Sequence, residues 1–190
     1  MKTKVIELVS TIVILIGYIG RVSYVYNHSV KAKSVYYSIG EEVEIGDDYF
    51  DTSQERMKGY SVTMLDYEVV SIEEFKERYP DYHNERKAEY MCMIKARFRN
   101  IDNNYGNAAG IDLGQYILQN RAYINFIDRD AYPLINGFDS LKFALRVNTE
   151  KEMILPYHID SLYISASKLK NGDSQLVVSL YPNKKIISFS

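Results

Sequence analysis

AEYMCMIKARFRN, Ala88 to Asn100, alternates without a break. Tyr90, Cys92, Ile94, Ala96 and Phe98 fall on one side of an extended chain, and Met91, Met93, Lys95, Arg97 and Arg99 on the other. Successive strand residues point to opposite faces, so this stretch reads as a β-strand with one wholly apolar face. The second face turns from methionine to lysine and arginine along the strand, which predicts that its C-terminal end meets water. Cys92 lies on the apolar face and reads as a buried, inert thiol. As the single cysteine of the chain it excludes an internal disulfide framework and a cysteine-based metal cluster.

The neighbouring segments extend the pattern. YSVTMLDYEVV, Tyr60 to Val70, places Val62 and Met64 on one face but Leu65, Tyr67 and Val69 on the other. The change of phase between Met64 and Leu65 predicts a β-bulge. In SIEEFKERYP, Ser71 and Glu74 have capping-box spacing and Pro80 ends the segment, which predicts a short helix covering one end of a sandwich. Upstream, Ser34–Gly46 alternates on both sides of Gly40, and the acidic stretch Gly46–Gly59 reads as an exposed connection. Downstream, Asn100–Gly114 is rich in Asn, Asp and Gly and reads as a long loop. Strands are expected at Gln115–Asp128, Leu141–Val147, Glu152–Ile159, Ser161–Ser167, Ser174–Pro182 and Ile186–Phe189, with Asn171-Gly172-Asp173 as a turn. Seven to nine strands, one short helix and no βαβ alternation predict an all-β fold, an antiparallel β-sandwich over residues 34–190.

The front of the chain is different. VIELVSTIVILIGYIGRVSYVY, Val5 to Tyr26, has an uninterrupted apolar run from Ile12 to Ile16 and two charges, Glu7 and Arg21. Its apolar residues surround a helix instead of forming one stripe, which disfavours a soluble core helix. Arg21 is placed to snorkel, and Tyr18, Tyr24 and Tyr26 suit an interfacial belt. A cleaved signal peptide shares the basic start, Lys2 and Lys4, but lacks a cleavage site close behind the apolar run. The expectation is a single transmembrane helix: residues 1–26 as a membrane anchor with a cytoplasmic stub, 27–33 as linker, 34–190 as the folded domain. Flanking charges nearly balance across the span and do not fix its orientation.

Residues 1–33 hold five of the 23 basic and one of the 25 acidic side chains. The remainder therefore carries 18 basic and 24 acidic residues, a net of −6, and lacks the basic footprint that nucleic acid requires. The 18 tyrosines in the absence of tryptophan fit packing on pleated surfaces, and tyrosine also serves at recognition surfaces.

No nucleophile elbow, phosphate loop or zinc-binding helix occurs, and His28, His83 and His158 lack metal-ligand spacing. Asp47, Asp48 and Asp51 form a carboxylate cluster of the type Ca²⁺ accepts, without the spacing of an EF-hand; solvation is the simpler reading. The loop Ile101–Gly114 is a second place where a sandwich carries function. The expectation is no catalytic residue, no metal, no cofactor and no assigned binding residue.

The order of YSIGEEVEIGDDYF, YSVTMLDYEVV, EYMCMIKARFRNID and QLVVSLYPNKKIISFS resembles a group of Gram-positive bacterial proteins, the domain-of-unknown-function family numbered 5028. That family is similar in layout to the extracellular family 4352, where a G-x-x-V strand precedes a V-x-V-x-N strand. Gly40–Val43 and Ala96–Asn100 stand in those places, with Ala96 and Phe98 departing from valine. The resemblance implies an immunoglobulin-like extracytoplasmic domain behind a membrane anchor and supplies no catalytic residue. The functional expectation is a non-catalytic binding or accessory module of the cell envelope that contacts a protein or peptide; a carbohydrate-binding or enzyme-accessory domain is the alternative.

Overall fold

The computed structural model describes residues 2–29, 31–50, 57–83, 88–104 and 110–189, the side chains of residues 2–10 excepted. Residues 1–31 and 32–190 are separate compact units. The first is one helix, α1 (Lys2–His28). Among the described residues no helix is long and apolar enough to cross a membrane. The helix from Thr11 onward has only a short apolar run before Arg21, Asn27 and His28 dilute it. The side chains of Val5–Ser10, on which the anchor expectation also rests, lie outside the described residues.

The second unit is a β-sandwich with eleven strands among the described residues: β1 (Lys33–Tyr37), β2 (Glu42–Ile45), β3 (Tyr60–Ser71), β4 (Tyr90–Asn100), β5 (Ile111–Asp112), β6 (Ile117–Gln119), β7 (Ile124–Phe126), β8 (Lys142–Phe143), β9 (Glu150–Ile159), β10 (Gln175–Ser179) and β11 (Asn183–Ser188). A four-stranded antiparallel sheet runs β2-β3-β4-β9, a five-stranded sheet β1-β11-β10-β6-β7, and β5 pairs with β8. The five-stranded sheet is mixed, because β1 lies parallel to β11. This departs from the purely antiparallel expectation: a strand at each end of the domain can meet side by side without a tight turn.

The alternation of Ala88–Asn100 sets the layers. Cys92, Ile94, Ala96 and Phe98 are buried between the sheets with Val62 and Met64 of β3, Leu155 and Tyr157 of β9, Leu118 of β6, and Leu176 and Val178 of β10. On the outer face, Lys95, Arg97 and Arg99 pair with Glu152, Glu150 and Glu42 in an exposed ladder. The ladder lies at the water-facing end that the residue change predicts. Exposed pairs of this kind add little stability, and their work is to keep the face wet. The bulge also falls where the phase change puts it: the β3–β4 register shifts between Met64 and Asp66.

Ser71 caps α2 (Ile72–Arg78), its hydroxyl accepting from Glu74 N at 3.1 Å. The helix does not cover a sandwich end. Ile72 and Phe75 pack with Met91, Met93 and Ala131 into a second small core on the outer face of the four-stranded sheet. The methionines at the start of β4 are what it covers.

Two further helices were not expected: α3 (Ala131–Asn136) and α4 (Ala166–Lys170). The predicted strand Ser161–Ser167 is instead a turn leading into α4, and Gly172 (φ +84°) follows the end of that helix. Gln115–Asp128 splits into β6 and β7, because Asn120 Oδ1 accepts from Ala122 N and Tyr123 N and folds the chain into a turn. In Leu141–Val147 only Lys142–Phe143 is strand. Asn100–Gly114 contains β5, and residues 105–109 lie outside the described residues.

Candidate binding groove

The β6–β7 hairpin, the turn before α4 and the start of β10 enclose an open groove of about 930 Å³. Each wall is pinned from within. The hairpin tip is held by the buried Tyr123, whose hydroxyl lies 2.8 Å from the Ser174 hydroxyl. Burial pushes the Tyr123 phenol up to about 12 against the opposing Ser174 hydrogen bond, so it stays neutral. The turn is shaped by Asp160, whose Oδ1 accepts from Leu162 N at 2.8 Å, while Ile164 is buried beneath. At the far end of α4, the Lys170 carbonyl accepts from the Tyr67 hydroxyl of β3 at 2.9 Å.

This bracing leaves apolar side chains facing outward. Leu162 is 85% and Tyr163 56% exposed, and across the groove Ile124 is 62% exposed. Phe126, next on the same face of β7, is 54% exposed. Gln119 and Gln175 lie side by side on the floor, with Arg121, Lys168 and Asp173 on the walls. The groove holds amides, hydroxyls, one carboxylate, two cationic side chains and apolar walls, a composition for recognition by surface, charge and hydrogen bond.

The residues singled out by sequence go elsewhere. Asp48 is buried rather than exposed, its Oδ2 2.5 Å from Lys185 Nζ and its Oδ1 accepting from Asn183 Nδ2 at 2.8 Å. Burial raises its pKa, but the Lys185 hydrogen bond and charge and the Asn183 hydrogen bonds outweigh that and hold it below the usual carboxylate range. Asp47 pairs with Lys58 at 2.8 Å, and Asp51 lies outside the described residues. The two described carboxylates are thus committed to different lysines. Burial pushes the Cys92 thiol up to about 12, the opposite of an activated nucleophile.

Among the histidines, His28 stacks on Tyr24 in α1 and His83 is exposed. His158 stands with Nδ1 3.3 Å from Asp128 Oδ2. Asp128 is buried and fully used. Oδ2 accepts from the Tyr82 hydroxyl at 3.0 Å, and Oδ1 accepts from Asp130 N and Ala131 N at 2.9 Å, capping α3. Burial raises its pKa, yet His158, Ala131, Tyr82 and Asp130 together hold it low. Its role is to lock α3 and the Tyr82 segment onto β9. The expected loop Ile101–Gly114 is anchored at its start by Asn100 and Asn103: Asn103 N donates to Asn100 Oδ1, and Asn100 Nδ2 donates to Asn103 O and Leu145 O.

The family model described as Domain of unknown function (DUF5028) matches residues 34–185. The chain belongs to that family. No curated protein and no solved structure matches it. The matched span begins within β1, ends within β11 and takes in every strand between them.

The groove escaped sequence reading because Ser161–Ser167 reads as a strand. A signal was present: Asp160 two residues before Leu162 fits an Asx-turn, and Ser165 precedes a short run of helix formers.

Proposed function

We propose that this chain is a membrane-tethered, extracytoplasmic, non-catalytic binding module of the bacterial envelope, and that its groove contacts a protein or peptide partner. The observation that carries the binding reading is the groove itself. Large apolar side chains at Ile124, Leu162 and Tyr163 stand exposed on a braced scaffold, where burial against a partner gains about 25 cal/mol per Å² of apolar area. The tether reading is supported by α1, where Ile12, Val13, Ile14, Leu15 and Ile16 are each 47–72% exposed, a surface that calls for an apolar cover. The parallel pairing of β1 with β11 supports an immunoglobulin-like strand arrangement. A carbohydrate reading draws on Tyr36 and Tyr163, both more than half exposed beside Gln119 and Gln175.

The test is membrane fractionation of cells expressing the chain with a C-terminal tag, combined with protease treatment of intact cells. Loss of the tag from membrane-bound protein in intact cells is the expected result. Soluble protein, or a tag that survives until lysis, overturns the tether or the outward orientation respectively.

A further inference from the structure

We propose that the outer edge of β7 takes up an extended segment of the partner as an added strand. This rests on the peptide-binding reading above and specifies how the peptide is held.

The backbone hydrogen bonds along the sheet edges single out β7. In the β6–β7 hairpin, Asn120 N donates to Tyr123 O at 3.1 Å, so these two residues form a hydrogen-bonded pair. The register pairs Gln119 with Ile124, Leu118 with Asn125 and Ile117 with Phe126. Bonded and non-bonded pairs alternate in an antiparallel ladder, so Asn125 bonds β6 while Ile124 and Phe126 turn their N–H and C=O groups outward. Among the described residues neither meets a backbone partner on that side.

The edge strands of the other sheet are treated differently. The free side of β9 presents Ile154, Pro156 and His158. The Asn136 side chain satisfies both backbone groups of Ile154, donating to its O at 2.8 Å and accepting from its N at 3.0 Å. Pro156 has no N–H, and its O accepts from Asp128 N at 2.8 Å. The His158 carbonyl accepts from Asn125 Nδ2 at 2.7 Å. On β2 the Glu44 carbonyl accepts from Lys185 Nζ at 2.5 Å. These are the devices by which a sheet prevents pairing at its edge. Beyond β7 the next amide of the same parity, Asp128 N, is taken by Pro156 O of the adjoining β9, which leaves Ile124 and Phe126 as the open stretch, with the groove beside Ile124. β1 leaves Ser34 and Tyr36 outward by the same parity, since Lys33 N bonds Pro182 O, and Tyr36 lines the same groove; but its outward pair is a serine and a tyrosine, where β7 offers the two exposed apolar side chains Ile124 and Phe126.

The occupant follows from the edge. Ile124 and Phe126 each offer a donor and an acceptor, repeated about 6.8 Å apart along a strand. A peptide backbone matches that repeat; a sugar chain or lipid headgroup does not. Side chains of the added strand that stand beside Ile124 and Phe126 meet exposed apolar surface, so the segment reads apolar-x-apolar. An acidic residue suits the end near Arg121 and Lys168.

The test pans displayed random twelve-residue peptides against the full chain in detergent and follows backbone amide exchange. The expected result is enrichment of apolar-x-apolar peptides whose binding slows exchange at Ile124 and Phe126. Ile124→Pro removes the outward N–H of an edge residue together with the isoleucine side chain, so it is read against Ile124→Ala: the proline variant weakens these peptides at least tenfold beyond the alanine one, while Ser34→Pro on the edge of β1 does not. Should Ile124→Pro fold poorly, the exchange protection at Phe126 in the unaltered chain decides alone. Peptides that bind Ile124→Pro equally well but lose affinity in Leu162→Ser/Tyr163→Ser overturn strand addition and leave the groove reading standing. Failure to enrich any peptide overturns both.

Discussion

Lys185→Met tests how the segment after β2 is held to the last strand. The Lys185 ammonium is 12% exposed, lies 2.5 Å from Asp48 Oδ2 and also donates to the Glu44 carbonyl. Removing it strands a carboxylate that is 3% exposed, with Asn183 as its remaining donor. Breaking one partner of a buried pair costs about 3–5 kcal/mol. Each kcal/mol shifts the melting temperature of a domain of this size by roughly 2–4 °C, so Tm falls by about 6–20 °C. Asp48→Asn leaves the ammonium unpaired and costs a comparable amount. The double variant Asp48→Asn/Lys185→Met removes both charges and recovers most of the loss, to within about 1–2 kcal/mol of the parent, because desolvation of the pair had offset much of its attraction. The assay is urea unfolding of all four proteins between pH 3 and 7. The folded pKa of Asp48 is depressed, so its contribution is present above the unfolded value of about 3.9 and is lost as pH falls through the folded value. Without Lys185, burial raises that pKa against the Asn183 hydrogen bonds that remain, so the gap between parent and Lys185→Met narrows as pH falls through the unfolded value of about 3.9 and below it. A single variant within 1 kcal/mol of the parent, or a double variant as unstable as the two singles added, refutes the reasoning.

Other positions give independent checks. Gly59→Ala, at φ +86°, incurs a left-handed penalty of about 1–2 kcal/mol and drives its Cβ against Asp102 Oδ1 and to 2.8 Å from Asn103 N, so a Tm drop larger than the penalty alone is expected by calorimetry. Asn136→Ala removes both bonds to Ile154 and should cost about 1–3 kcal/mol while giving concentration-dependent association in sedimentation velocity; a stable monomer at high concentration would show that β9 is guarded by something else. The Cys92 thiol should resist a thiol-specific chromogenic reagent at pH 8 in the native chain and react stoichiometrically in urea, and rapid native labelling would contradict its burial.

The legible parts of the fold were those whose cause is local. Strand β4 shows in sequence because each face meets one environment: core on one side, and on the other first a helix and then water. The bulge and the Ser71 cap are equally local, a phase change in one case and a spacing of three in the other. The illegible parts depend on distant partners. Leu141–Val147 has a strand-like pattern, yet Leu145 satisfies its N–H and C=O on the Tyr60 hydroxyl, 85 residues away in sequence, rather than on a sheet. Helix α3 carries Pro133 and lacks a side-chain cap from its own preceding residue. It forms because Asp128, held by Tyr82 and His158, presents Oδ1 to its first amides. Ser161–Ser167 alternates like a strand, but Asp160 turns the backbone before any neighbour can pair with it.

The same distinction explains why the carboxylate cluster misled and the groove stayed hidden. Asp47 and Asp48 are adjacent in sequence, which invites a shared ligand, but the chain bends at Gly46 and Asp47 after the end of β2 and the two side chains part. One reaches Lys58 at the surface and the other Lys185 in the interior. Recognition surface arises here by subtraction. Asn125, Asp128, Asn136 and Lys185 come from segments remote from the strands they cap, and together they satisfy the edge groups of Ile154, Pro156 and His158 on β9 and the Glu44 carbonyl on β2. Their own elements, β7 among them, are spent on that closure on one side only. The free side of β7 keeps open backbone groups beside exposed apolar side chains, and it is therefore where an added strand finds both hydrogen bonds to make and surface to bury.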